Sequence, residues 1–435
     1  MPRLRRDHFL DLRPLTTSPA FARMWIGSTL AGLGGQLTIV AIMLQMYELT
    51  ESTFAVAMIA VAGLVPMIFA GLYGGMLADA FDRRRVALLA ATVTFASTAV
   101  LCALTWAQLE TVWWLYVISI VNSSANSIVM AARQSIVPRL IPRELLPAAS
   151  ALGGITVGVM VTIGPALAGV LVAFSGYGWT YTIDLVLMSS LFLGLWGLPR
   201  IQPEGVLVRP GLRSLADGWA FLKRAGNIRL QFVLDIVAMT FGNPLALFPA
   251  IGAVLLGGGP ITTGILTAAV AVGAFFSSLF SGPVGRVRHH GVGIQRAIAV
   301  YGGAISVFGV ILLAGALGVF APETVGIDSP NSVLIVAAVA ALIVSGAADN
   351  VSSIYRNTMV QAAVPDAIRG RLQGLFIVVV AGGPRLGALY AGTLASVTTL
   401  WFPPLLGGFL IIALVAALVR LNPRFRAYDA EFPEP

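Results

Sequence analysis

Apolar residues run along this chain in long blocks that lack the two-residue alternation of a half-buried strand, and polar residues collect in short stretches between them. Twelve blocks predict twelve helices, over about residues 21–47, 53–78, 86–107, 111–132, 147–174, 177–198, 229–256, 261–284, 293–320, 331–355, 371–396 and 398–419. Each is long enough to cross a hydrocarbon core of about 30 Å, which takes about 20 apolar residues. A membrane barrel would show dyad alternation, and the glycines and prolines inside the blocks are tolerated where neighbouring helices repair the backbone. The expected fold class is an all-α membrane protein of twelve transmembrane helices.

Composition agrees: 57% hydrophobic, 11% charged and a mean hydropathy of +0.89 exceed what a soluble globule can bury. One cysteine, Cys102, excludes an intramolecular disulfide, and His8, His289 and His290 form no metal-ligand cluster. No P-loop and no nucleophile–base pair occurs in the spans, so no catalytic residue, metal or cofactor is expected. The polar arm ending at Arg23 leads into an apolar run longer than a signal-peptide core, so the first span is expected to be retained.

Charge then sets orientation. Of 27 Lys and Arg, 26 fall in the N-terminal arm, the C-terminus and alternate loops on one side, whereas the opposite loops hold acids such as Glu51, Glu110, Glu323 and Asp328. The positive-inside rule places both termini in the cytoplasm, in a multi-pass protein of the inner membrane. The net charge of +8 is therefore a topology signal, and nucleic acid is not an expected partner because no soluble domain carries the arginines. The chain is expected to act as a monomer in the lipid bilayer.

The blocks also repeat. RQSIVPRLIP from Arg133 matches RNTMVQAAVP from Arg356 at a shift of 223 residues, and GGMLADAFDRRR at 74–85 faces SGPVGRVRHHGV at 281–292. A six-plus-six duplication follows, with bundles at 1–198 and 229–435 and a linker at 199–228. In that linker Leu212, Leu215, Trp219 and Leu222 share one helical face, which fits either an interfacial helix or a loosely ordered tether.

The loop GGMLADAFDRRRVAL at 74–88 resembles the loop signature of the major facilitator superfamily: Gly75, Leu77, Asp79, Arg83 and Arg84 fit it, while Ala80 and Asp82 depart from it. The variant is most similar to the enterobactin-exporter and macrolide-efflux branch, a likeness that LQMYELTEST at 44–53 and GYGWTY at 176–181 strengthen. The resemblance implies two pseudo-symmetric bundles and a gate. Asp79 would accept hydrogen bonds from a neighbouring helix end and pair with loop arginines, latching the inner side with Asp82, Arg83, Arg84, Arg133 and Arg356; the plainer reading makes the arginines membrane anchors. Gly158, Gly164, Pro165 and Gly169 in span five resemble an antiporter motif and equally suit a tight helix contact.

Ionisable residues inside spans are expensive and become candidates on that ground: Asp184, Asp235, Asp349 and Arg385. The superfamily's cavity is lined by spans one, four, seven and ten, which favours Asp349 as proton carrier with Asp235 second; a salt bridge from Asp349 to Arg356 is the structural alternative. The same spans offer Gln36, Met43, Gln45, Asn122, Asn126, Met130, Met239, Phe241, Asn243, Asn350 and Tyr355, with Arg385 beside them, as a wall for a bulky amphipathic solute. The expectation is a secondary exporter of a siderophore- or drug-like molecule, driven by proton antiport and alternating access. An uptake symporter or a lipid transporter of the same fold is the rival reading.

Overall fold

The computed structural model describes residues 11–198, 219–279, 287–320, 329–364 and 366–432. Leu212 and Leu215 of the linker lie outside them. Long helices account for nearly all of the rest: α1 (Pro19–Thr50), α2 (Thr53–Ala80), α3 (Arg83–Trp106), α4 (Val112–Leu140), α5 (Leu146–Trp196), α6 (Gly226–Gly242), α7 (Gly259–Leu279), α8 (His290–Ala316), α9 (Ser332–Ala363), α10 (Asp366–Val397) and α11 (Phe402–Leu421). Ten stretches among the described residues are long and apolar enough to cross a membrane, so the chain is a multi-pass membrane protein.

The polar residues between the blocks start the helices. Ser18 accepts a hydrogen bond from Phe21 N at 3.2 Å, Ser52 from Ala55 N at 3.3 Å, Asp82 from Arg84 N at 3.0 Å and Asn331 from Leu334 N at 3.2 Å. Each relieves an amide that has no partner within its own helix. Between α1 and α2 the chain turns on Glu51 alone, in the left-handed region at φ 49°, before Ser52 caps the next helix.

α5 is 51 residues long and contains one non-helical residue, Gly176, at φ 76° and ψ 178°. The chain reverses there. In the first arm Leu152 O accepts from Trp25 Nε1 at 3.3 Å, Thr156 meets Thr29 at 3.1 Å and Gly164 packs on Gln36, so numbers rise together and the arm runs parallel to α1. In the second, Asp184 meets Thr38 and Ser190 Oγ donates to Gly27 O at 3.0 Å, so the arm runs antiparallel. Spans five and six of the sequence reading are these two arms, joined by a glycine that tolerates a positive φ without Cβ strain.

Two predicted boundaries move. α4 continues to Leu140 through Pro138, and α9 continues to Ala363, so Arg133 and Arg356 lie inside helices and not in the loops to which the end of the apolar blocks assigned them. The seventh span, predicted as one helix over 229–256, stops at Gly242 and resumes as short 3-10, α and π turns from Leu245 to Leu255. Pro244 has no amide to continue the ladder, and Tyr301 Oη donates to the freed Gly242 O at 2.7 Å.

The helices bury three cores. One joins Phe21, Met24, Val86, Ile136 and Leu195 at the terminus-bearing end of the first half, and another runs through the second half from Leu222 to Tyr428. The third, around Leu37, Met46, Leu101, Leu115 and Tyr181 at the far end of the first half, also takes in Ala246 and Ala388. The halves thus share an apolar core at the far end. Across them α2 packs on α10, and α5 packs on α7.

Candidate functional site

Asp349 and Arg356 are seven residues apart on α9, two turns along one face, and Arg356 reaches across to Asp235 on α6. Arg356 Nη1 pairs with Asp235 Oδ1, and Nη2 stands 3.5 Å from Asp349 Oδ1. The side chains of Arg356 and Asp235 are 9% and 7% exposed, against 35% for Asp349. Two carboxylates share one guanidinium. A buried charge is tolerated only when compensated, and with both carboxylates ionised this group has one negative charge more than its guanidinium balances.

The residues around this group are anchored. Asn350 Nδ2 donates to Ser277 Oγ and to Ser278 Oγ on α7, both at 2.9 Å, and Tyr355 lies against His290 with ring centroids 5.3 Å apart. Buried Tyr301 of α8, which the sequence reading passed over, holds the end of α6 that carries Asp235 through its bond to Gly242 O. An isolated tyrosine in an apolar block gives no local signal of such a role.

The wall candidates divide. Asn126 and Met130 are exposed one turn apart on α4, and Gln36 and Met239 are partly exposed, packing on Gly164 and Gly383. Arg385 Nη2 reaches Met67 Sδ on α2 at 3.0 Å, bridging the halves. Phe241 packs edge-on against Tyr390 at 5.2 Å. Others are tied into the scaffold. Gln45 Oε1 accepts from Tyr181 Oη at 2.7 Å, Asn122 accepts from Ser97 Oγ and donates to Thr98 Oγ1 at 3.3 Å, and Met43 is buried. Asn243 stitches the break in α6, donating to Pro384 O at 3.0 Å and accepting from Leu245 N at 3.2 Å.

In the loop motif, Asp82 caps α3 and approaches Arg85 at 4.0 Å, Arg83 Nη1 donates to Ser135 O at 2.9 Å, and Arg84 Nη2 donates to Trp196 O at 2.6 Å. These bonds tie the α2–α3 corner to α4 and α5. Gly75 and the side chain of Asp79 lie outside the described set.

The antiporter-like stretch makes a close crossing between halves. A Cβ on Gly264 would lie 2.5 Å from Pro165 O and 3.1 Å from Gly169 Cα, so the backbones of α5 and α7 touch there. At the far end Thr53 Oγ1 also donates to Gly392 O at 2.9 Å, joining α2 to α10. Toward the terminus-bearing end the same pair of helices shows no such backbone contact at its glycines: a Cβ on Gly158 would meet only Phe275 Cδ2, at 3.9 Å, and one on Gly154 nothing within 4 Å. Asp184, 1% exposed, accepts from Thr38 Oγ1 at 2.5 Å within the first half, away from these crossings.

Residues 11–434 match the family described as transmembrane secretion effector. Among curated relatives, enterobactin exporter EntS of Citrobacter koseri is 26% identical over 435 residues, covering 99% of this chain and 98% of the relative. Enterobactin exporter EntS of Escherichia coli O139:H28 is 27% identical over 422 residues, with 97% and 96% covered. Among solved structures, the nucleoside transporter NupG superposes with a TM-score of 0.68 at 16% identity, covering 92% of this chain and 98% of that one. A bacterial homologue of the iron transporter ferroportin, in an inward-facing state, gives a TM-score of 0.64 at 16% identity, with 92% and 98% covered. The structural likeness establishes the transporter fold, and the family match spans nearly every residue: the chain belongs to the transmembrane secretion effector family of the major facilitator superfamily.

Proposed function

We propose that this protein is a secondary exporter of a bulky amphipathic small molecule of siderophore-like character, driven by proton antiport through alternating access. The observation that carries the reading is the Asp235–Arg356–Asp349 group, whose excess carboxylate gives one proton a place to bind inside the membrane. Export is favoured by the two EntS relatives, which align end to end with this chain.

The arrangement fits twelve spans in two bundles of six. Counting the arms of α5 separately and adding the 32-residue α10 to the ten apolar stretches supports that number. With both termini in the cytoplasm of an inner membrane, the shared core closes the outer side, and the lack of backbone contact at Gly154 and Gly158 supports an open inner side. Cargo and Asp349 would exchange with the cytoplasm in this state, and closure there with opening at Gly169–Gly264 would release the cargo outward.

The test is transport in proteoliposomes. An imposed proton gradient should drive enterobactin, the solute named for the EntS relatives, opposite to the proton flow, and a protonophore should abolish the movement. Cargo moving in the same direction as protons would replace this reading with an uptake symporter.

A further inference from the structure

The internal repeat puts Arg133 of α4 where α9 has Arg356, and the two arginines have opposite surroundings. Arg356 is paired with Asp349, two turns earlier on its own helix, and with Asp235 of α6. Two turns before Arg133 stands neutral Asn126. α1, the counterpart of α6, holds one acid, Glu48 at its far end, and α4 holds none. Among the described residues Arg133 has neither an ion pair nor a hydrogen bond, and its Nε is buried. The first-half arginine thus lacks the two carboxylates that its counterpart holds.

A guanidinium cannot shed its proton, so this charge has to be met from outside the protein or carried at a cost. Its planar fork suits a carboxylate, catecholate or similar oxyanion. The flank beside it supplies the rest of a site: Asn126, Met130 and Arg133 follow at four- and three-residue steps, one helical stripe on which Asn126 and Met130 are exposed. An amide, a thioether and a guanidinium in a row fit a molecule with an acidic head and an apolar body.

We infer that Arg133, with Asn126 and Met130, binds the acidic group of the exported solute, which is therefore an amphipathic organic anion. The inference rests on the exporter reading and deepens it: one repeat-related arginine is occupied by the proton site, and the other receives cargo.

The test compares two probes that differ in one charge, N-(2,3-dihydroxybenzoyl)serine and its methyl ester. Initial rates are measured with the full chain in proteoliposomes, after subtracting protein-free vesicles. The wild type should prefer the acid by about tenfold, and Arg133→Gln should reduce the acid-to-ester ratio to about one, the loss of one charge-assisted pair. Arg133→Lys should retain part of the preference. Asn126→Asp, which keeps the arginine and installs the counter-ion seen in the second half, should lower the ratio as Arg133→Gln does. If the wild type moves neither probe, the exporter reading for such solutes fails and the inference falls with it. If both probes move and the ratio survives Arg133→Gln and Asn126→Asp, the assignment of Arg133 is overturned while the exporter reading stands.

Discussion

Arg356 Nη2 stands 3.5 Å from Asp349 Oδ1 across two turns of one helix, while the same guanidinium closes on Asp235 from the helix beside it. Asp349 is thus the looser and more accessible of two carboxylates competing for one cation. Asp349→Asn should abolish movement driven by a proton gradient yet retain solute exchange, because the amide keeps the size and fixes a neutral state. Asp235→Asn should be milder in coupling. Arg356→Gln leaves two acids uncompensated and should lower stability by about 3–5 kcal/mol, read as a fall in thermal unfolding temperature. Wild-type proton-driven flux in Asp349→Asn between about pH 6 and 8 would make Asp235 the leading proton carrier.

The crossing at Gly169 and Gly264 makes a second prediction. Gly264→Ala drives a methyl into the Pro165 carbonyl, where only backbone can give way, so the helices must part. Flux should fall roughly tenfold, matching about 1.4 kcal/mol lost from the far-end-closed state. Gly154→Ala, which meets nothing within 4 Å, should transport normally. Equal flux in both variants would remove the crossing from the gate.

At the other end the C-terminal tail folds back on the segment before α8. Arg288 Nη2 meets Asp429 Oδ2 at 2.6 Å and Glu431 Oε2 at 3.3 Å, and Ala430 N donates to Arg288 O at 3.0 Å. The bond from Arg288 holds the Asp429 carboxyl below its ordinary range, helped by the Glu431 amide. Docking is therefore fully favoured above the free value of about 3.9 and is lost as pH falls through the docked value. The Ala430 amide, bonded to Arg288 O in the docked tail, should exchange slowly relative to its intrinsic rate at neutral pH and lose that protection in acid or high salt. Arg288→Gln should expose it at neutral pH; a flat profile in both proteins would rule out the clamp.

Orientation is checked by labelling single cysteines from each side of the membrane. Positions 83, 139 and 288 should react from the cytoplasm, and positions 51 and 110 from outside. Labelling of position 288 from outside would reverse the topology and, with it, the side on which cargo enters.

Much of this architecture was legible because a bilayer imposes one demand on every span, a long apolar block, and the charges between blocks mark its ends. The break in the seventh span was not, since Asn243 and Pro244 sit in an apolar stretch and the break is tied down by distant residues, Pro384 and Tyr301. Arg356 and Asp235 are far apart in sequence, so no local spacing announces their pair. The polar residues proposed for the cavity wall were the hardest to place. A helix that is apolar all round gives no face to read, and Gln45 and Asn122 proved to be satisfied by Tyr181, Ser97 and Thr98 within the first half.

Gly176 joins the two arms of α5 with a single residue, and Trp106 fixes the corner, stacking edge-on against Trp179 and donating to Thr182 Oγ1 at 3.2 Å. Mechanically this is a one-residue corner: in the proposed mechanism a tilt of one arm would be passed to the other through Gly176, with α1, which packs on both arms, moving along with them. A tag inserted there would cut a transmission rather than lengthen a loop. Trp179, half exposed at the bend, would give the same corner an optical reporter once the chain's seven other tryptophans are replaced.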